Sequence, residues 1–514
     1  MLRVRHTANQ TGIFEGYNMS IEYKDNEQQK PVVGIKDGLL QGFQEDGIYK
    51  FYGIPYAAPP VGKLRWRPPQ PVEPWKDVRD ATKFGPIAYQ ISRKEDILEG
   101  NKDLIEDEDC LYLNIWTSSI SAEENMPVMV WIHGGGFLNG SGSFIEYRGA
   151  ELSKRGVVVV TFNYRLGPLG FISHKELESE DKTMLSGNYG TLDQIAVLEW
   201  IQRNISYFGG DRDNVTIFGE SAGAMSVGLL SSSPRALGLF HKGICQSGGM
   251  LMFPREIPYD KALWDTLELQ KGLGASNIEE MRLIPAPELI KVGIEISAKD
   301  EMPRQPRYAP VLDNIVIKSQ DETLRERAKF PLIIGNNKHE ATWFMQFLPA
   351  ITIGNYQEIL HRNFGQIAMQ MLASFTINSD KEARDAFMFV YTYNLFTIHV
   401  HDIARRLTAL GGDVYVYRLD RVAPKNQQNG LYAAHGEDIP YVFGHANEEG
   451  YTKTDEKVSD EIMKYWVQFS KTGNPSVEGL PEWPKYTTES NDYLVLDEKI
   501  SVKKYTDDEP FHSR

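Results

Sequence analysis

The sequence predicts an α/β fold, a central mostly parallel sheet flanked by helices, on three observations. Continuous apolar runs recur at Val128 to Ile132, Val157 to Phe162, Val215 to Phe218, Gly243 to Cys245, Pro331 to Ile334 and Val414 to Tyr417. Short runs without alternation suit parallel strands covered on both faces. Helical patterns fall between them, clearest over 191–208, where Leu192, Ile195, Ala196, Leu198, Ile201 and Ile205 recur at helical spacing. The alternation of strand and helix continues without a dividing linker or an internal repeat, which favours one layered α/β unit.

Taken in order, residues 1–31 are polar and irregular and read as an N-terminal extension, with 32–514 as a single domain. The stretch VVGIKDGLLQGFQEDGIYKFYGIPY alternates apolar and polar residues around Gly-containing turns, the pattern of antiparallel strands. AAPPVGKLRWRPPQPVEPW carries six prolines and predicts an extended surface wrap. The parallel strands follow. Two long helical stretches, about 258–297 and 355–411, are expected as insertions capping one end of the sheet.

Composition narrows the function. The chain has 514 residues, 41% apolar and 11% aromatic, and a net charge of −15 from 55 basic and 70 acidic side chains. That balance argues against a nucleic-acid partner or adhesion to an anionic membrane. No apolar run reaches the length of a transmembrane span, and the start of the chain carries no secretory pattern. Cys110 and Cys245 are the two cysteines, too few for a disulfide framework or a metal cluster. The expectation is a cytoplasmic protein without metal or cofactor.

The chemistry starts at VTIFGESAGAMSVGLL, residues 215–230. Gly219 and Gly223 flank Ser221 in a G-x-S-x-G pattern, with an apolar strand before it and a helical run after it. A serine on so sharp a turn brings residues two before and two after it together, and only minimal side chains fit there. A serine hydroxyl needs a base, the base an orienting acid, and the reaction a set of oxyanion donors. VMVWIHGGGFLNG runs a strand into Gly134, Gly135 and Gly136, whose N–H groups are unobstructed. Downstream of Ser221 the candidate bases are His241, His339, His361, His399, His401, His435, His445 and His512. His399 and His401, two apart on a helix, point different ways and make a poor metal pair. His435, in YAAHGEDIPYVFG, is the best placed by context. Glu340, in FPLIIGNNKHEATWF, is a candidate acid or an ordinary loop glutamate. His339-Glu340 fails as a zinc H-E-x-x-H motif because position 343 is Trp343.

Eight segments, in order, resemble the type-B carboxylesterase family, which includes the cholinesterases, within the α/β-hydrolase fold. They are YGIPYAAPPVGKLRWRPPQP, EDEDCLYLNIW, WIHGGGF, FNYRLGPLGF, GNYGTLDQIAVLEWIQRNISYFGGDRDNVTIFGESAGA, QSGG, GNNKHE and HGEDIPYVFG, within residues 32 to 500. The character is closest to microbial intracellular para-nitrobenzyl-esterase-like members. The resemblance implies Ser221 as nucleophile, His435 as general base and acid, Glu340 as orienting carboxylate, and an oxyanion hole from the N–H groups of Gly135, Gly136 and Ala222. It implies hydrolysis of small-molecule carboxylic esters through an acyl-enzyme, with no cofactor. Rival readings on the same fold are a lipase, an amide hydrolase, or a non-catalytic cholinesterase-like binding or adhesion protein.

Three departures from the family pattern matter. The disulfide of secreted members would pair Cys110 with the position of Ala88, so Cys110 is expected as a free thiol. The stretch YQISRKEDILEGNKDLIEDEDC contains no tryptophan of the kind that holds a quaternary ammonium in cholinesterases. Where the family has a glycine after the acid, this chain has Ala341. A histidine base of ordinary pKa predicts activity that falls as pH drops through about 6 to 7.

Overall fold

A computed structural model describes residues 30–90, 101–182, 186–248, 257–298 and 307–505. Residues 1–29, most of the expected N-terminal extension, lie outside it. Eleven strands form one sheet: β1 (Phe43–Glu45), β2 (Ile48–Pro55), β3 (Tyr112–Thr117), β4 (Met126–Ile132), β5 (Val158–Phe162), β6 (Gly210–Glu220), β7 (Lys242–Gln246), β8 (Leu332–Asn337), β9 (Val414–Leu419), β10 (Asp492–Leu496) and β11 (Ser501–Lys504). Their order is β11-β10-β9-β8-β7-β6-β4-β5-β3-β2-β1. From β5 through β10 neighbouring strands are parallel. Antiparallel strands close both edges. The fold is the α/β-hydrolase fold that the motifs imply.

The unalternated runs have a direct structural reason. Along β4, Val128, Val130 and Ile132 pack into the core on one face of the sheet, and Met129 and Trp131 into the core on the other. Both faces are covered, which favours apolar residues at successive positions along the strand.

The flanking helices used below are α1 (Tyr189–Asn204), α2 (Ala222–Leu230), α3 (Ala341–Met345), α4 (Asp380–Thr392), α5 (Ile398–Ala409) and α6 (Lys453–Thr472). The helix expected over 191–208 is α1, continued by a 3₁₀ turn at Ile205–Phe208. The proline wrap is largely irregular, as its composition requires, and it is anchored by buried Trp66, whose Nε1–H donates to Pro168 O at 2.9 Å.

The insertions differ from a simple cap. Helices Tyr356–Phe364 and Gln366–Leu372 and α4 build their own apolar cluster with Ala341 and Met345. In contrast, Val400, Ile403, Ala404 and Leu407 of α5 join the main core with Val414 and Val416, so α5 covers the sheet. The earlier insertion likewise seats Leu269, Met281 and Leu289 in that core. Long α6 was not foreshadowed by the strand-helix pattern. It buries Val458, Ile462, Trp466 and Phe469 on the opposite face, and Thr452 and Asp455 form its capping box. Among the described residues no helix is long and apolar enough to cross a membrane.

Candidate active site

β6 ends at Glu220 and α2 begins at Ala222, which leaves Ser221 alone at the corner with φ 54° and ψ −121°. Its N–H donates to Gln246 O on β7 at 2.9 Å. The flanking glycines are sterically required. A Cβ on Gly219 would stand 2.6 Å from both the Gly223 carbonyl carbon and Ile132 O, and one on Gly223 only 1.9 Å from Ile132 O. The corner is thus pressed onto the end of β4, where the glycine loop starts.

That loop turns back over Ser221. A Cβ on Gly134 would lie 3.2 Å from the Ser221 Cβ. Gly135 and Gly136 both take positive φ, 99° and 63°. Among the described residues neither N–H meets a protein acceptor. The base of the loop is fixed by His133, which is fully buried and stacks on Tyr164 with ring centroids 4.4 Å apart. Burial lowers the His133 pKa to about 4, so it is neutral and structural. Ala222, directly after Ser221, is the first residue of α2.

Glu340 and His435 meet at this corner. His435 Nδ1 is 2.6 Å from Glu340 Oε2. Glu340 is fully buried, and its second oxygen accepts from Asn337 N–H and Ser247 Oγ–H, each at 2.6 Å. The two loops are stitched together. His339 N–H donates to Ala433 O at 2.9 Å, and the Asn337 amide donates to Ala434 O at 2.7 Å. Phe344, Phe396 and Trp343 surround the His435 ring, with centroids 5.0, 5.2 and 5.8 Å away. Ala341 fits without strain, fully buried and bonded through its N–H to Thr392 Oγ1 at 3.1 Å.

Three groups at the site were not singled out from sequence, although all lie inside quoted motifs. Ser247 in QSGG holds Glu340. Glu220 in GESAG places Oε1 3.2 Å from His435 Nε2, the nitrogen that would serve Ser221. Asp438 in HGEDIP is buried and accepts from Tyr417 O–H at 2.8 Å and from the Gln246 amide at 3.0 Å. Spacing gives no sign of such partners, because they converge from β6, the end of β7 and the loop after β9.

The three carboxylates set the electrostatics. Burial raises the Glu220 pKa to about 8 against the pull of His435, with Asp438 and Glu340 adding to the rise. Burial alone would lower the His435 pKa, but Glu220, Glu340 and Asp438 outweigh it and push it up to about 9. This corrects the expectation of a base with an ordinary histidine pKa. His401, by contrast, is a core histidine on α5. It stacks on Tyr505 at 3.6 Å and is lowered to about 3 by burial, with Arg405 and Arg418 adding. Among the described residues no group of three His, Cys, Asp or Glu side chains is arranged to hold a metal ion. Cys110 and Cys245 are buried free thiols, and Cys110 borders a small void together with Ala88. The tryptophan-free stretch lies outside the described residues over 91–100.

Residues 29–513 match the family model described as the carboxylesterase family. The chain belongs to that family. It is 36% identical over 488 residues to the para-nitrobenzyl esterase of Bacillus subtilis, an alignment covering 92% of this chain and 96% of the relative. It is 35% identical over 473 residues to the fumonisin B1 esterase of Sphingopyxis macrogoltabida, covering 89% and 85%. The solved structure titled PNB esterase superposes with a TM-score of 0.80 at 33% identity, covering 94% of this chain and 99% of that one. Family and relatives together mark the type-B chain as a carboxylic ester hydrolase, acting on small-molecule esters.

Proposed function

We propose that this carboxylesterase works by a two-step serine mechanism in which Ser221, His435 and Glu340 are the catalytic triad. Neutral His435 takes the Ser221 proton through Nε2 as the hydroxyl oxygen attacks the ester carbonyl. The N–H groups of Gly135, Gly136 and Ala222 hold the resulting oxyanion; loss of one such donor typically costs on the order of 10² to 10³ in rate. The imidazolium then protonates the departing alcohol, leaving an acyl group on Ser221. Water, deprotonated by the same histidine, releases the acid. Glu340 fixes the tautomer and stabilises the imidazolium at Nδ1.

The observation that carries the reading is the 2.6 Å contact of Glu340 with His435 beside the strained Ser221 corner. The aromatic side chains around His435 favour esters with apolar acyl or alcohol groups. Buried free thiols support residence in a reducing compartment such as the cytoplasm. Initial rates on p-nitrophenyl acetate, butyrate, octanoate and palmitate test it, for the wild type and Ser221→Ala. Hydrolysis abolished in the variant supports the mechanism, and the chain-length optimum separates a carboxylesterase from a lipase. Full activity in folded Ser221→Ala refutes it.

A further inference from the structure

His339 lies between the end of β8 and Glu340, and it takes no part in the proposed proton transfers. Its surroundings are nonetheless specific. Burial lowers its pKa to about 4, with Lys338 and Arg418 adding to the fall against Asp420, so the ring is neutral at neutral pH. Ala433 N–H donates to His339 Nδ1 at 3.3 Å, which fixes the tautomer: Nδ1 offers its lone pair and Nε2 carries the proton.

The bond is returned. His339 N–H donates to Ala433 O at 2.9 Å, so one residue holds both backbone groups of another. Two bonds to the same partner fix its orientation, which a single bond does not. Ala433 is fully buried, and among the described residues its N–H meets no other acceptor. Without Nδ1 that donor would be left unpaired in the interior, a costly state for a backbone group. Ala433 stands two places before His435, and His339 one place before Glu340.

A second observation lies at the next residue. Tyr432 takes φ 56°, in the left-handed region that a bulky side chain rarely enters. Such a conformation persists only where its surroundings impose it, and it concentrates at active sites. Here bonds impose it from both sides. Before it, Leu431 O accepts from Thr342 Oγ1, and the N–H groups of Leu431 and Tyr432 both donate to Asn426 O, at 3.0 and 3.2 Å. After it comes the pair of bonds between Ala433 and His339. The Tyr432 ring is itself tilted against the His339 ring, with centroids 5.3 Å apart.

We infer that His339 is a positioning residue for the base: its Nδ1 and its N–H together grip Ala433, hold the left-handed turn at Tyr432, and so set His435 against Glu340. The inference rests on the assignment of Glu340 and His435 to the triad.

The test compares His339→Asn with His339→Gln in the full-length protein. Asn carries a carbonyl oxygen at the branch position that Nδ1 occupies, whereas the Gln amide lies one bond further out, near the position of Nε2. His339 is half-buried at the edge of a cavity, so either amide has room. On p-nitrophenyl butyrate, kcat is expected close to the wild type for Asn and about tenfold lower for Gln, with KM little changed in both, the scale of losing a partner that orients a reacting group. The rate at which diethyl p-nitrophenyl phosphate labels the protein should fall by the same factor in Gln alone, because that step needs the same base. A His339→Gln protein with a lower melting temperature but wild-type kcat and labelling would overturn the inference, since the side chain would then be merely structural. So would equal loss of activity or of soluble yield in Asn and Gln. Ser221→Ala, measured alongside, separates the two readings. Hydrolysis surviving in it refutes the triad, whereas hydrolysis abolished in it and unaltered in His339→Gln refutes the role of His339 alone.

Discussion

His435 Nε2 stands 3.2 Å from Glu220 Oε1, one residue before the serine it is proposed to serve. The same ring is fixed at Nδ1 by Glu340 at 2.6 Å. The imidazole therefore lies between two buried carboxylates, with Asp438 close behind, and the proton balance of the site belongs to the group rather than to one residue.

The pH dependence follows from that arrangement. A general base must be neutral to accept the Ser221 proton, so activity is lost as pH falls through its pKa. With His435 raised to about 9 by Glu220, Glu340 and Asp438 against burial, the acid limb of kcat/KM is expected well above the ordinary histidine range. Glu220→Gln removes one of the three carboxylates that raise His435 and is expected to move the limb to lower pH. A wild-type limb in the ordinary histidine range, unmoved by the substitution, would contradict the account.

Ser247 is expected to matter through Glu340. Its hydroxyl supplies one of two donors to Glu340 Oε1, so Ser247→Ala leaves a buried carboxylate less well held. Outer partners of this kind typically change activity about 10- to 100-fold, and unsatisfied buried acceptors cost about 1–3 kcal/mol of stability. Steady-state kinetics should show the loss in kcat more than in KM, with a lower melting temperature. An unchanged kcat would argue that Asn337 N–H alone suffices.

Gly223→Ala tests the geometry of the corner. Its Cβ would fall 1.9 Å from a backbone oxygen of β4, which no side-chain adjustment relieves. Overpacking typically costs about 1–3 kcal/mol, and a backbone clash more. The expected outcome is poor soluble yield or a protein without esterase activity; a stable, active variant would show that the corner tolerates a side chain.

The thiols should be inert in the folded protein. Burial raises Cys110 well above the usual range and Cys245 to about 12, far from the thiolate state that reagents attack. Ellman titration should find both cysteines only after denaturation, with activity unaffected by iodoacetamide. Rapid inactivation by alkylation would oppose this.

Much of this architecture can be read from residues, and the rest resists for physical reasons. The parallel strands are readable because burial on two faces forces continuous apolar runs such as Val128 to Ile132. The corner is readable because G-x-S-x-G is a steric requirement seen within five residues. Glu340 and His435 are marked by the family motifs, since nothing in their 95-residue separation dictates contact. The site's electrostatics are not readable, because Glu220 and Asp438 act on His435 only after β6 and two loops converge. α5 was expected in a cap because its pattern matches its neighbours, yet Val400, Ile403 and Leu407 find their partners on the sheet. α6 carries a local signal, Thr452 and Asp455 ahead of an apolar spacing, that a pattern of alternating strands and helices does not contain.

The central claim is that Ser221 is the nucleophile, activated by His435. Reaction with diethyl p-nitrophenyl phosphate tests it directly, followed by mass mapping of the label. The account predicts one equivalent of p-nitrophenolate per chain and a phosphoryl label on Ser221, with labelling greatly slowed in His435→Ala. A label on another residue, or equal labelling of folded His435→Ala, would contradict it.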